Sequence, residues 1–175
     1  MAESDIPVLE TDRFTCRAPV EADVEAFWPA FSSDVHMRYW SCAAFTDRGA
    51  LRDYLLDSKA GRSWVCEPKD GGAPVFRMFA SSPHDEVAEI GYIIVPGNEG
   101  QGIARECLSA LITQLFRAEG FHRIFGDVDP RNTASNRLLQ SLGFTREAHL
   151  RDAMKTHIGW CDTWYWGLLA DEWPR

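Results

Sequence analysis

Apolar and polar residues change spacing several times along the chain, and each change marks an element. Arg13 to Arg17 alternates as a short strand. After Pro19 the spacing becomes helical, with Val24, Phe27, Trp28 and Phe31 on one face of a stretch from Glu21 to Phe31. Ser32 to Thr46 keeps neither period and reads as a loop or broken helix. A second helix is expected over Asp47 to Ser58, with Leu51, Tyr54 and Leu55 turned inward. Strands follow at Ser63 to Glu67, Pro74 to Ala80 and Val87 to Val95. They are separated by the turn-forming runs Lys69-Asp70-Gly71-Gly72 and Ser82-Pro83-His84-Asp85, the pattern of an antiparallel meander.

From Gln101 to Glu119 the period is helical again, with Ala104, Leu108, Leu111 and Leu115 as the stripe and Gly120 as the stop. His122 to Val128 alternates as a strand. Asp129 or Asn132 can cap a last helix whose buried stripe is Leu138, Leu139 and Leu142, with Gly143 just past its end. Ser135 lies three, four and seven residues before those leucines, so its hydroxyl turns inward. Two closing strands are expected at about Phe144 to Arg151 and Cys161 to Leu169. Without repeats or low-complexity segments, the 175 residues suit one domain, 1–175, with a single core.

The most telling junction runs from Glu89-Ile90-Gly91-Tyr92 through Ile93, Ile94 and Val95 to Gly100-Gln101-Gly102-Ile103-Ala104, a strand entering a glycine turn and then a helix. Glycines let the backbone turn sharply and present several N–H groups at the helix mouth, where the macrodipole favours anionic oxygens. A diphosphate cradle is one reading; a helix start that merely uses glycines to turn is the other. No Lys-Ser/Thr follows the last glycine, which rejects a Walker A loop, and the spacing is not that of a dinucleotide fingerprint.

Composition narrows the chemistry. A formal charge of −8 argues against a nucleic-acid surface and suits a cationic amine better. Residues Met1-Ala2-Glu3-Ser4-Asp5 are acidic and unlike a secretion signal, and no apolar run is long enough to span a bilayer, so a cytoplasmic protein with no membrane partner is expected. Cys16, Cys42, Cys66, Cys107 and Cys161 are odd in number, widely scattered and free of any C-x-x-C pair; the five histidines lack metal-site spacing. The expectation is reduced cysteines, no catalytic cysteine and no metal.

Taken together, Glu89-Ile90-Gly91-Tyr92, Gly100-Gln101-Gly102-Ile103-Ala104, Asp129-Pro130-Arg131-Asn132 with Ser135, Gly143-Phe144, and the closing Trp160-Cys161-Asp162-Thr163-Trp164-Tyr165 with Glu172-Trp173 resemble the GCN5-related N-acetyltransferase (GNAT) family, in its RimJ/RimL-type branch. The resemblance covers nearly the whole chain. It implies an α+β fold: a mixed, mostly antiparallel central sheet of about seven strands flanked by about four helices. The fourth and fifth strands, at 87–95 and 122–128, should splay apart. It further implies acetyl-CoA as co-substrate, a primary amine acceptor attacking the thioester directly, and a homodimer as a common assembly.

Roles for particular residues follow from the resemblance. Glu89 occupies the position of an acid that accepts the amine proton, often through water, and its place on an otherwise apolar strand would raise its pKa; a rim carboxylate in a salt bridge is the alternative. Ser135 would donate to the departing thiolate, and Asn132 would hold the pantetheine arm or cap the helix. The pantetheine amides would pair like an extra strand with main-chain groups of Ile93, Ile94 and Val95, and the diphosphate would sit on Gly100, Gln101, Gly102, Ile103 and Ala104. Glu99 departs from the usual Arg or Gln of the family, and an anion there would repel the diphosphate. Trp40, in the irregular segment after the first helix, lies where the family builds one wall of its acceptor site. Most rings among Trp160, Trp164, Trp166 and Trp173 suit sheet packing instead. Asp162, expected just before the last strand, receives a cationic acceptor or caps a turn. The acceptor is left open among a protein N-terminus, a polyamine, an amino-acid-like toxin and an aminoglycoside, and a noncatalytic acyl-CoA-binding module is the other class of reading.

Overall fold

The computed structural model describes residues 6–174; the acidic run 1–5 lies outside them. Eight strands form one sheet: β1 (Leu9–Glu10), β2 (Phe14–Arg17), β3 (Arg62–Pro68), β4 (Phe76–His84), β5 (Val87–Ile94), β6 (Arg123–Val128), β7 (Thr145–Thr156) and β8 (Gly159–Leu169). Their order is β1-β2-β3-β4-β5-β6-β8-β7, and every neighbouring pair is antiparallel except β5 and β6. The helices are α1 (Val24–Phe31), α2 (Arg48–Leu56), α3 (Ile103–Thr113) and α4 (Thr133–Ser141). The α+β class and the mostly antiparallel sheet are as expected. The eighth strand, β1, is too short to show an alternation.

Several boundaries move for local reasons. The stretch from Glu21 opens as a 3-10 turn, Glu21–Asp23, before α1 begins. The expected helix 101–119 is α3 followed by a π-helical turn, Gln114–Ala118, and Gly120 at φ +75° ends it. The turn expected at Ser82 to Asp85 is displaced, because β4 continues through a bulge to His84 and the reversal falls at Asp85 and Glu86. The last hairpin is longer than its hydrophobic pattern. Mostly exposed β7 reaches Thr156, and β8 starts at Gly159, so Asp162 lies inside a strand rather than before it.

Two apolar clusters cover the two faces of the sheet. On one, α3 and α4 bury Leu108, Leu111, Ile112 and Leu139 against Met78, Ile90 and Ile124. On the other, α1 and α2 bury Phe27, Phe31, Leu51 and Leu55 against Val65 and Ile93. Full burial of a Phe or Leu side chain contributes on the order of 1.5–3 kcal/mol, so both faces matter to stability. Among the described residues no helix is long and apolar enough to cross a membrane.

Candidate active site

Strands β5 and β6 pair over only three positions: Val87 with Arg123, Ala88 with Ile124, and Glu89 with Phe125. Beyond Glu89 and Phe125 they diverge, and Ile90–Ile94 keeps its ladder to β4 alone. The expected splay is therefore present, and its fork begins at Glu89. Because both strands run the same way, their carboxyl ends and the starts of α3 and α4 all lie at the open end of the fork. Crevices at the carboxyl ends of parallel strands are natural ligand sites.

The two helix starts differ in their chemistry. At α4, Asn132 caps the helix by accepting the Ser135 N–H at 3.2 Å, one of the two roles expected of it. The start of α3 is Gly102, at φ +76° and with no side-chain acceptor, so the first N–H groups of α3 are left for another partner. Glu106 in the first turn of α3 accepts from Thr11 Oγ1 at 2.7 Å and from Arg13 N and Nε at 2.9 and 2.7 Å, which fixes the helix mouth to the β1–β2 corner. Arg13 also donates to the Gln101 carbonyl at 3.1 Å. This basic side chain beside the mouth carries no signal in the glycine pattern.

Glu99 is engaged locally. Its Oε2 accepts the Gly97 N–H at 2.8 Å, and its Oε1 lies 3.6 Å from His36 Nε2. Backbone N–H donors and His36 hold its carboxyl below the usual range. Val95 is engaged too: its N–H donates to the Val75 carbonyl at 2.8 Å, and its own carbonyl accepts from Asn98. Of the three residues expected to pair with pantetheine, Val95 thus has both main-chain groups occupied internally, whereas Ile93 and Ile94 lie on the open side strand.

Cross-strand partners share a face, so Arg77, Phe79 and Ser81 of β4, Ile93, Gly91 and Glu89 of β5, Phe125 and Asp127 of β6, and Tyr165 of β8 all stand on the α1/α2 side. Here lies a cleft of about 460 Å³, lined among others by Trp40, Tyr54, Arg77, Glu89, Asp127 and Ser135. Burial raises the Glu89 pKa above its ordinary value, the nearby Asp127 charge adds to that, and Ser81 Oγ, donating at 3.5 Å, partly opposes it. Burial likewise raises Asp127. Two carboxyls with raised pKa values, on adjacent strands at a fork, are suited to accept a proton.

On the opposite wall, Ser135 is partly buried and lines the cleft. The Tyr92 hydroxyl donates to the Ser135 carbonyl at 3.5 Å, and burial pushes the phenol up to about 12. Asn136 pins the loop before α4, donating to the Asp129 and Asn132 carbonyls at 3.0 and 2.9 Å while accepting from Trp166 Nε1 at 2.9 Å. Trp40 lines the cleft; Trp160, Trp164, Trp166 and Trp173 do not. Asp162 also borders it, but its carboxylate accepts the Asp152 N–H at 3.0 Å and lies 2.7 Å from His149 Nε2, bracing the irregularity in β7 where Asp152 takes φ +45°.

Asp127, Tyr92, Asn136 and Arg77 escape a reading by motif. For Arg77 a signal exists: a lone cation within Phe76-Arg77-Met78-Phe79. The cysteines contain a further surprise. Cys16 and Cys66 are cross-strand partners, and Cys107 of α3 packs beneath them, bringing three sulfurs within 4.8 Å of one another, all fully buried. Burial pushes the Cys66 thiol up, and the Cys107 thiol is raised chiefly by Cys16, with Cys66 partly opposing.

A sheet splayed at one parallel junction, with an uncapped helix mouth at the fork, is the arrangement expected from the resemblance in the sequence. Residues 13–145 match the family model described as "Acetyltransferase (GNAT) domain". The chain is 33% identical over 156 residues to "Uncharacterized N-acetyltransferase YoaA" of Bacillus subtilis, covering 85% of this chain and 88% of that one. It is 31% identical over 174 residues to "Uncharacterized N-acetyltransferase p20" of Bacillus licheniformis, covering 94% and 97%. Among solved structures, a GNAT-family acetyltransferase from Bacillus anthracis superposes with a TM-score of 0.89 at 23% identity, over 95% of this chain and 100% of that one. The chain belongs to the GNAT acetyltransferase family and is an acyltransferase; acetyl transfer from acetyl-CoA is the chemistry of that family.

Proposed function

We propose that the acceptor amine attacks the thioester directly at the fork, with Glu89 as proton acceptor and Ser135 as hydrogen-bond donor to the leaving sulfur. The observation that carries this reading is the divergence of β5 from β6 immediately after Glu89, which sets a partly buried carboxylate at the point where main-chain groups of β5 lose their partner. Pantetheine amides pair with those groups in place of a strand, and the diphosphate lies on the open N–H groups of Gly102, Ile103 and Ala104. Asn132 acts by capping α4 and thereby orienting Ser135. A buried carboxyl with a raised pKa can take the proton of an ammonium through water, and the thiolate leaves readily with only a hydroxyl to assist it.

Transfer to a small-molecule amine is favoured over a folded protein surface, because Arg77 and Glu89 stand on the sheet behind the wall formed by Trp40 and Tyr54. The test is a thiol-release assay with acetyl-CoA and a panel of amines, run on wild type and Glu89→Gln. Release that is acceptor-dependent and reduced about a hundredfold in Glu89→Gln is expected for a general base. Wild-type turnover in the variant would remove Glu89 from the mechanism.

A further inference from the structure

Arg77 is the one cation set deep in the acceptor wall, and among the described residues no carboxylate pairs with it. It is 3% exposed, and its Nε has no hydrogen-bond partner. Its guanidinium is boxed by the rings of Tyr54, Phe31 and Phe79, at 5.2, 5.9 and 5.9 Å from their centroids. Ring faces attract the cation, yet its buried Nε–H has no acceptor. Leaving a guanidinium donor unmatched in a buried setting is costly. Burial also lowers its pKa, with Tyr54 partly opposing the effect. The cleft carboxylates are differently placed: Asp129 is paired with Arg131 and Asp162 with His149, Asp57 accepts the Lys59 N–H, and Glu89 and Asp127 stand further along the sheet.

Register fixes the layout. Arg77 lies opposite Ile93, and Glu89 is four residues back along β5, roughly 14 Å away at about 3.4 Å per residue. Midway lies the Gly91–Phe79 pair, where a Cβ added to Gly91 would meet nothing within 4 Å. The floor between the cationic and acidic ends is therefore open at Gly91, with the Phe79 ring beside it. We propose that the acceptor is a small zwitterion, an amino-acid-like molecule whose carboxylate seats on Arg77 and whose amine points along the sheet towards Glu89, reaching it through water. This rests on the acetyl-transfer reading and narrows it: a polyamine would meet a buried like charge, and a protein N-terminus would bring no carboxylate to Arg77.

The experiment compares free L-amino acids with their methyl esters, and both with spermidine, in thiol release by the acetyl-CoA-saturated full chain. Isothermal titration of the same compounds into the CoA-bound protein runs alongside. Free acids are expected to be preferred over esters by about 10- to 100-fold in kcat/KM, the scale of a charge-assisted hydrogen bond. The less basic ester amine biases against that result. Arg77→Met should bring the acid-to-ester ratio close to one by raising KM for the acids, and Arg77→Lys should recover part of it. Esters or spermidine consumed as well as acids by wild type would overturn the proposal, as would an unchanged ratio in Arg77→Met. Should no amine release thiol while acids still bind in an Arg77-dependent way, the transfer reading fails and the anion seat stands. Absence of both signals overturns the seat as well.

Discussion

Glu89 and Asp127 share one side of adjacent strands, and burial raises the pKa of each above its ordinary value. A raised native pKa means that the folded protein binds more protons than the unfolded chain between the unfolded and folded values, so stability falls as pH rises through that range. Asp127→Asn should therefore melt higher than wild type at pH 7 to 8, by roughly 1–4 °C on the scale of this chain length, and lose the advantage once both states are protonated at low pH. The same replacement removes a neighbouring anion, so the acidic limb of the pH–rate profile should move down towards the ordinary Glu value. An unmoved limb would assign it to another group. At the turn, Glu99→Gln preserves an acceptor for the Gly97 N–H while deleting the charge. Coenzyme binding measured by calorimetry is expected to tighten about two- to fivefold if that charge repels the diphosphate, because screened charges several ångströms apart interact by only about 0.5–1 kcal/mol.

Among the elements, the start of α3 makes the sharpest claim. Gly102 sits at φ +76°, where a β-branched side chain is strained, and a Cβ would also stand 3.7 Å from Arg13 Nη2. Gly102→Val should abolish most of the melting shift caused by acetyl-CoA; a folded variant with the full shift would displace the diphosphate from this helix. Much of this element was legible beforehand, since glycine spacing and an apolar stripe are local signals. So were the meander and the cap at Asn132. What stayed hidden depends on partners distant in sequence. That Asp127 falls beside Glu89 follows from the parallel register of β5 and β6, and that Cys16 meets Cys66 and Cys107 follows from a β2–β3 pairing and the seat of α3. The start of the last strand was expected at Cys161 and not at Gly159 because the exposed end of β7 and β8 has no alternation to mark where the strand begins.

For the molecule as a whole, a ligand that binds only the native state must stabilise it, and acetyl-CoA at about a hundred times its Kd should contribute roughly 2.7 kcal/mol, or several degrees of melting temperature. The parallel junction that creates the cleft has a further consequence, in the order of folding. Hairpins of adjacent strands build β3-β4-β5 on one side and β7-β8 on the other, whereas β5 reaches β6 only after the chain has travelled through α3, and the reward is three residue pairs. Closing so long a loop for so short a ladder is entropically unfavourable early, which makes the junction a late event. Ile124→Val, at a fully buried position in that ladder, should thus accelerate unfolding while leaving the refolding rate nearly unchanged, a φ-value close to zero. A value near one would put the junction in the folding nucleus. With a value near zero, the zone where chemistry is proposed is the last part of the sheet to be assembled and the first to open.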